Sequence, residues 1–392
     1  MKLLYYLPWS YGGLSDYAHP LSNAITDLGI DVTILCSPHY LTGKGERYKC
    51  SFILQEIVSN NPSPNKILRG LRFARITIQN YFKLVEVIKN DQFEYVLMGA
   101  YAEYFAPIWS PPFRQLAQKG VIFGAIIHDP VRNTVLGPLW WHRWSIACAY
   151  SFLREAFVHE STELDTVWSI PGLRTTAIPH GSYQFGSPSL TKEVARASFN
   201  LPHGSKVMLA FGHIRDNKNL DLILQAMVQF PDVYLIVAGR EQSASQLPAG
   251  FYQELATSLG VSERCRWYVR FIQNDEIANF FEASDFVLLT YSGSFCSASG
   301  VLNTAVYYRK PCLVSSGKGS LKTVVQEYEL GVWIEPDNIN SISSGICKLI
   351  ETPPKPNWNR YMQENSWTAS AESIIKSFKS AKKHINLANT KL

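Results

Sequence analysis

Two cations stand three residues apart in Phe211-Gly212-His213-Ile214-Arg215-Asp216-Asn217-Lys218. Arg215 offers a planar fork of donors and Lys218 a compact point charge, and such a pair can neutralise a diphosphate. The apolar run Val207–Phe211 ahead of them reads as a strand, so both cations fall at a strand end. The plain alternative is a solvated charged loop. Tyr11-Gly12-Gly13-Leu14-Ser15-Asp16 follows the first apolar run and opens a helical pattern. Its glycines let the backbone approach a ligand, and a helix N-terminus presents N–H groups to an anion. The same residues also read as an ordinary strand-to-helix turn capped by Ser15 or Asp16. Cys296-Ser297-Ala298-Ser299-Gly300-Val301 has the same character ahead of a helix over Leu302–Tyr308: an anion nest, or simply a serine-capped helix. Three histidines, in His128-Asp129-Pro130, His159-Glu160 and His180-Gly181, each end an apolar run.

The elements that must hold these residues are legible as an alternation. Leu3–Leu7, Val32–Cys36, Tyr95–Met98, Val121–Ile127, Ala156–Val158 and Thr176–Ile178 read as strands, with helical patterns such as Tyr17–Leu28 between them. A second series runs Val207–Phe211, Val233–Ala238, Cys265–Tyr268, Phe286–Thr290, Cys312–Ser315 and Val332–Ile334. Short apolar strands separated by helices indicate parallel sheets built of βαβ units. Two such Rossmann-like halves are expected to face each other across a cleft, with ligands outside the carboxyl ends of the strands. The predicted domains are 1–185, 186–365, and a last helix over 366–392 that crosses back to the first.

Composition narrows the classes. The chain has 392 residues, natural for two domains, and 46% hydrophobic residues, enough for two cores. Charged residues are only 18%, and the net charge of +5 is too weak to argue for nucleic acid. No apolar run is long enough for a membrane span, and Pro8 and Gly12-Gly13 interrupt the opening segment where a leader's cleavage region would lie. The seven cysteines are odd in number and lack a Cys-x-x-Cys pair, which argues against a disulfide framework or a zinc site. Gly-x-Gly-x-x-Gly is absent, which demotes a dinucleotide enzyme.

Two stretches point to an acceptor or a surface. Lys66–Lys89 carries basic residues at 66, 69, 72, 75, 83 and 89 with only Glu86 opposed, interleaved with Ile67, Leu68, Leu71 and Phe73. It reads as a membrane-surface helix, or as a helix that packs its apolar side on a sheet. Trp140 and Trp141, in Pro138-Leu139-Trp140-Trp141-His142-Arg143-Trp144, suit sugar stacking or an interface, and equally core packing.

Over nearly its whole length the chain resembles the family 4 glycosyltransferases of GT-B fold. The resemblance lies in Gly12-Gly13, Ile178-Pro179-His180-Gly181, Phe211-Gly212-x-Ile214-Arg215-x-x-Lys218, Ala283-Ser284-Asp285, Ser299-Gly300-Val301-Leu302, Lys310-Pro311 and Ser366-Trp367, in that order. It implies transfer of a sugar from a UDP- or GDP-sugar, with retention at the anomeric carbon, to a saccharide or lipid-linked acceptor in surface polysaccharide or glycoconjugate synthesis. No cofactor and no metal are implied. By the same resemblance Arg215 and Lys218 stabilise the departing diphosphate, and Gly12, Gly13, Gly212, Ser299, Gly300 and Val301 approach it. His128 faces the donor sugar, while His159 and His180 shape the cleft. The family often carries two glutamates eight residues apart, the second on the ribose. Those positions here are Cys296 and Thr304. Asn303 or Thr304 is the expected substitute for ribose contact. His213 stands where many members have arginine. The expected setting is cytoplasmic, peripheral at the inner membrane face. A GT-B-like epimerase or hydrolase, and a non-catalytic partner subunit, are the alternatives.

Overall fold

The computed structural model describes residues 1–10, 12–40, 42–43, 45–57, 65–128, 135, 137–159, 164–182, 185–242, 246–296 and 299–389, without the side chains of 66 and 385–389. Of the motifs above, Tyr11, Asp129, Pro130, Glu160, Ser297 and Ala298 lie outside the described residues. The chain divides into two compact units, Met1–Pro179 with Ser366–Leu392, and His180–Asn365. His180–Phe185, placed with the first domain on sequence grounds, therefore group with the second.

In the first unit β1 (Lys2–Tyr6), α1 (Gly13–Asp27), β2 (Asp31–Cys36) and β3 (Lys49–Phe52) are followed by α2 (Lys66–Asn90) and β4 (Tyr95–Met98). Next come α3 (Ala106–Trp109), α4 (Pro111–Gln118), β5 (Ile122–Ile127), α5 (Leu139–Tyr150), β6 (Glu155–Val158) and β7 (Arg174–Ala177). The seven strands pair in parallel in the order β3-β2-β1-β4-β5-β6-β7. The central strands are apolar along their length because helices cover both faces. Leu4, Tyr6, Val96 and Met98 pack towards α2, α3 and α5. Leu3, Tyr5, Leu7 and Leu97 pack towards α1 on the other face. The strand β3 was missed in sequence: Lys-Cys-Ser-Phe is a half-exposed edge with no apolar run.

The second unit runs α6 (Lys192–Ser198), β8 (Lys206–Phe211), α7 (Leu220–Ala226), β9 (Val233–Ala238), α8 (Ala249–Ser258), β10 (Cys265–Tyr268) and α9 (Asn274–Ala283). It continues with β11 (Phe286–Thr290), α10 (Gly300–Tyr307), β12 (Cys312–Ser315), α11 (Leu321–Glu327), β13 (Gly331–Trp333), α12 (Ile339–Glu351) and α13 (Trp358–Glu364). Its six strands are parallel in the order β10-β9-β8-β11-β12-β13. In both sheets the chain reverses direction of growth beside the first strand, and the carboxyl ends there are where such sheets bind ligands. Asp285, just before β11, pairs with Lys192 at 2.8 Å and Arg196 at 2.6 Å and accepts from the Val207 amide, which pins α6 to the sheet.

The last helix, α14 (Trp367–Asn389), packs on the first unit against α1. Ala371, Ile374 and Phe378 are fully buried there. Phe378 sits edge-on to Phe157 at 5.7 Å, and a Cβ on Gly124 of β5 would come within 2.8 Å of its ring. Arg174 binds the buried Glu155 and also donates to the Ser377 carbonyl at 2.9 Å and the Ser380 hydroxyl at 3.0 Å. Among the described residues no helix is long and apolar enough to cross a membrane.

Candidate functional site

In the second unit the cation pair lies on the turn after β8. Gly212 leaves the strand at φ 85°, in the left-handed region that favours glycine. A Cβ there would stand 3.6 Å from both the Lys218 Nζ and a Val301 methyl, so the turn lies against the start of α10. The neighbouring Gly239 is also obligatory. Its φ is 151°, and a Cβ would fall 2.1 Å from the Gly212 carbonyl oxygen. Nothing in the local pattern of β9 marks that contact, and sequence reasoning missed it.

Lys218 closes a single 3₁₀ turn, Asp216–Lys218, and its ammonium donates to the Phe211 carbonyl at 2.6 Å. Burial, reinforced by the Arg215 charge, holds its pKa down to about 7. The Arg215 Nε is buried with no hydrogen-bond partner among the described residues. A guanidinium nitrogen left in that state costs free energy unless an anion takes it. His213 accepts from Arg240 Nε at 3.1 Å through Nε2. Burial and then the cations Arg215, Arg240 and Lys218 lower its pKa, so it stands neutral beside them.

The loop is held by groups the sequence did not single out. Thr290 donates to the Lys218 carbonyl at 2.8 Å, and the Ser292 amide donates to the Asn217 carbonyl at 2.8 Å. Asn219, in the left-handed region at φ 52°, donates to Asp337 Oδ1, while the Gly293 amide donates to Asp337 Oδ2 at 2.8 Å. These bonds tie the turn after β8 to the loop after β11.

Across from the cations, Ser299 caps α10 by accepting from the Leu302 amide at 3.3 Å, and its hydroxyl meets the Tyr291 hydroxyl at 2.9 Å. Gly300 is exposed, and its amide and that of Val301 are the first two of the helix, which no intrahelical carbonyl can accept. Together the turn and the helix start offer two cations and backbone donors to one anion.

Asn303 and Thr304 are placed differently from expectation. Each is 3% exposed. The Thr304 hydroxyl donates back to the Gly300 carbonyl at 3.2 Å. The Asn303 side chain accepts from Tyr361 at 2.5 Å, and its other end lies 3.1 Å from His180 Nδ1. As placed, neither presents a polar group for ribose. Both lie on the buried side of α10 with Leu302, Ala305 and Val306. Cys296 is exposed.

In the first unit Gly12, at φ 85°, and the exposed Gly13 begin α1. Tyr17, one turn on, is the hub of an aromatic cluster. Its ring stands edge-on to His128 at 4.8 Å, His159 at 5.3 Å and Trp367 at 4.9 Å. His128 follows β5 and His159 follows β6, and the two rings are 5.5 Å apart. His159 Nδ1 donates to the Ile178 carbonyl at 3.2 Å. His180 lies in the second unit, where Nδ1 donates to the Gly181 carbonyl at 2.8 Å and burial lowers its pKa. Trp140 is 65% exposed at the start of α5, and Trp141 is partly buried beside it.

A family model described as Glycosyl transferases group 1 matches residues 191–387. A D-inositol 3-phosphate glycosyltransferase of Mycolicibacterium smegmatis is 24% identical over 199 residues, covering 49% of this chain and 44% of that protein. One of Mycobacterium leprae is 23% identical over 201 residues, with 48% and 45% covered. The chain thus spans less than half the length of these curated relatives in the match. Among solved structures, a sucrose-phosphate synthase from Thermosynechococcus elongatus superposes with a TM-score of 0.62 at 16% identity, over 100% of this chain and 98% of that one. Anabaena Alr3699/HepE in complex with UDP gives 0.61 at 14% identity, with 100% of both chains covered. At these identities the likeness is one of fold, the GT-B class built of two Rossmann-like parallel-sheet domains.

Proposed function

The chain belongs to the glycosyl transferases group 1 family, and from that premise we propose that it moves a sugar from a nucleotide-diphosphate-sugar to a saccharide or lipid-linked hydroxyl, with retention at the anomeric carbon, as a family 4 member. The observation that carries the reading is the meeting of Gly212, Lys218 and Val301 within 3.6 Å of one point, with the unpartnered Arg215 Nε on the same loop. The leaving group of such a reaction is a nucleoside diphosphate whose charge grows as the sugar–oxygen bond breaks. Fixed donors aimed at that charge lower the barrier because they need no reorganisation at the moment of reaction.

In this mechanism Lys218 neutralises the phosphate nearest the sugar, and Arg215 satisfies its Nε on the same diphosphate. The Gly300 and Val301 amides take the remaining oxygens. The cations supply the charge that a metal ion would otherwise provide, so the reaction runs without one. By the family resemblance His128 is assigned to the donor sugar, and the acceptor is assigned to the first unit. Relatives solved with UDP and UDP-glucose support a uridine donor.

A screen of UDP- and GDP-sugars tests the reading by nucleotide release with and without acceptors, polyol phosphates included. Slow release from one UDP-sugar, accelerated by one acceptor, is expected. Release that no acceptor stimulates points instead to a hydrolase or epimerase. Failure of UDP and GDP to bind at all in calorimetry removes catalysis from the account.

A further inference from the structure

The first two turns of α2 are exposed all round. Ile67, Leu68, Arg69, Gly70, Leu71 and Arg72 are all exposed, with Ile67 at 72% and Leu71 at 63%. Burial begins only at Ile76. A helix in water is ordinarily held by the face it packs, so an unpacked end bearing three large aliphatic side chains calls for a partner. The outer side continues the pattern: Arg75 is exposed and so is Phe82. Leu71 and Phe82 are eleven residues apart, about three full turns, and share one line along the helix.

Two neighbours extend this face. The helix α3 touches both α2 and α5, and all three pack on the same side of the sheet. Ile108 of α3 is exposed, as are Leu139, Trp140, Arg143 and Trp144 of α5. Because α2 follows β3 and α5 follows β5, their first turns lie at the carboxyl edge of the sheet. That edge also carries Gly12, Gly13, His128 and His159.

We infer that the outer side of the α2–α3–α5 layer docks on an anionic lipid bilayer. Arg72 and Arg75, on the side of Leu71 and Phe82, attract the headgroups, with Arg69 adding to the local positive charge, while Ile67, Leu71 and Trp140 enter the acyl boundary. The charge pattern selects this occupant. The first acidic residue of α2 is Glu86, and it is paired with Lys83 at 2.9 Å. A second copy of the chain on the same face would set arginines against arginines with no acid to pair them. A nucleic acid would offer phosphates and nothing for the aliphatic tips. The docking does not depend on sugar transfer: a chain that transfers nothing can still bind vesicles.

The test is flotation of the full chain with phosphatidylcholine vesicles, with and without 30–40 mol% phosphatidylglycerol (a range of ~30–40% makes the surface clearly anionic). Binding to the anionic vesicles at low salt is expected, with little binding to phosphatidylcholine alone. R69E/R72E/R75E should weaken it about 100-fold or more. These side chains are exposed, so folding is spared, and an unchanged far-UV spectrum checks that. Lipids carrying a shallow nitroxide should quench tryptophan fluorescence in the wild type and less in W140F. No flotation at low salt overturns the proposal, as does equal flotation of the triple variant. Vesicle-independent dimerisation that I67S/L71S abolishes would assign the face to a second copy and overturn it too.

Discussion

The side chain of Asn219 donates to Asp337 Oδ1 at 2.9 Å across 118 residues of chain. The same carboxylate accepts the Gly293 amide. One acidic side chain therefore sets the spacing between the loop that carries Lys218 and the loop that leads to Ser299. Asp337→Ala should loosen both and cost roughly 10-fold in UDP affinity, in line with the loss of a charge-assisted hydrogen bond. Asn219→Asp alone sets two carboxylates against each other and should be as damaging. The exchange Asn219→Asp/Asp337→Asn restores a donor facing an acceptor and still leaves an oxygen for Gly293. Calorimetric recovery of UDP binding in the double variant is the expected result; failure to recover would mean the contact serves stability alone.

In the proposed mechanism Lys218 carries the largest share of the charge stabilisation. Lys218→Ala is expected to lower kcat for transfer by about 100-fold or more, the scale on which loss of one preorganised donor is felt. Single-turnover rates at saturating donor measure this apart from binding. Turnover close to wild type would remove Lys218 from the mechanism.

The pH dependence has a definite sign. Burial, and then Arg215, bring Lys218 from 10.5 down to about 7 in the unliganded protein. A diphosphate favours the charged ammonium, so above pH 7 binding must draw in a proton. UDP affinity should fall as pH rises from 7 to 9, and the binding heat should vary with buffer ionisation enthalpy. Folding obeys the opposite slope. Between about 7 and 10.5 the unfolded chain holds a proton that the folded chain lacks, so stability rises with pH across that window. Lys218→Met should flatten this rise in Tm. A UDP affinity independent of pH over the range would contradict the assignment.

Gly239→Ala places a methyl group 2.1 Å from the Gly212 carbonyl oxygen. The backbone of the Gly212 turn must move, and UDP binding should be lost even if the fold survives. Far-UV circular dichroism together with calorimetry separates the two outcomes.

Transfer should continue in excess EDTA. In the proposed mechanism Arg215, Lys218 and the start of α10 meet the charge on the departing diphosphate, and no step calls for a divalent ion. A rate that collapses with EDTA and returns with Mg²⁺ or Mn²⁺ would refute this.

What could be read in the sequence was whatever the chain states locally. The strands Tyr95–Met98, Val233–Ala238 and Phe286–Thr290 announce themselves as short apolar runs between helices, and the structure forms them with those bounds. The edge strand β3 does not, since Lys49-Cys50-Ser51-Phe52 is short, half-exposed and without an apolar run. The glycine-flanked cation pair was visible because Gly212, Arg215 and Lys218 are neighbours in sequence. Asp337 and Gly239 were not, because their meaning lies in atoms contributed by distant segments. Asn303 was misplaced for a related reason. The Asn303 side chain is taken by Tyr361 of α13, 58 residues away, and nothing in α10 announces that partner.

The return of α14 to the first unit makes the order of synthesis matter. Phe378 fills the space that Gly124 leaves open, and Arg174 finds its last partners at Ser377 and Ser380. In topological terms His180–Asn365 is inserted into a unit that begins at Met1 and is finished by Ser366–Leu392. On the ribosome the inserted half can close its core while the enclosing half still exposes the apolar groove that awaits α14. Expressed separately, His180–Asn365 has its own complete core, whereas Met1–Pro179 would present Phe157 to water.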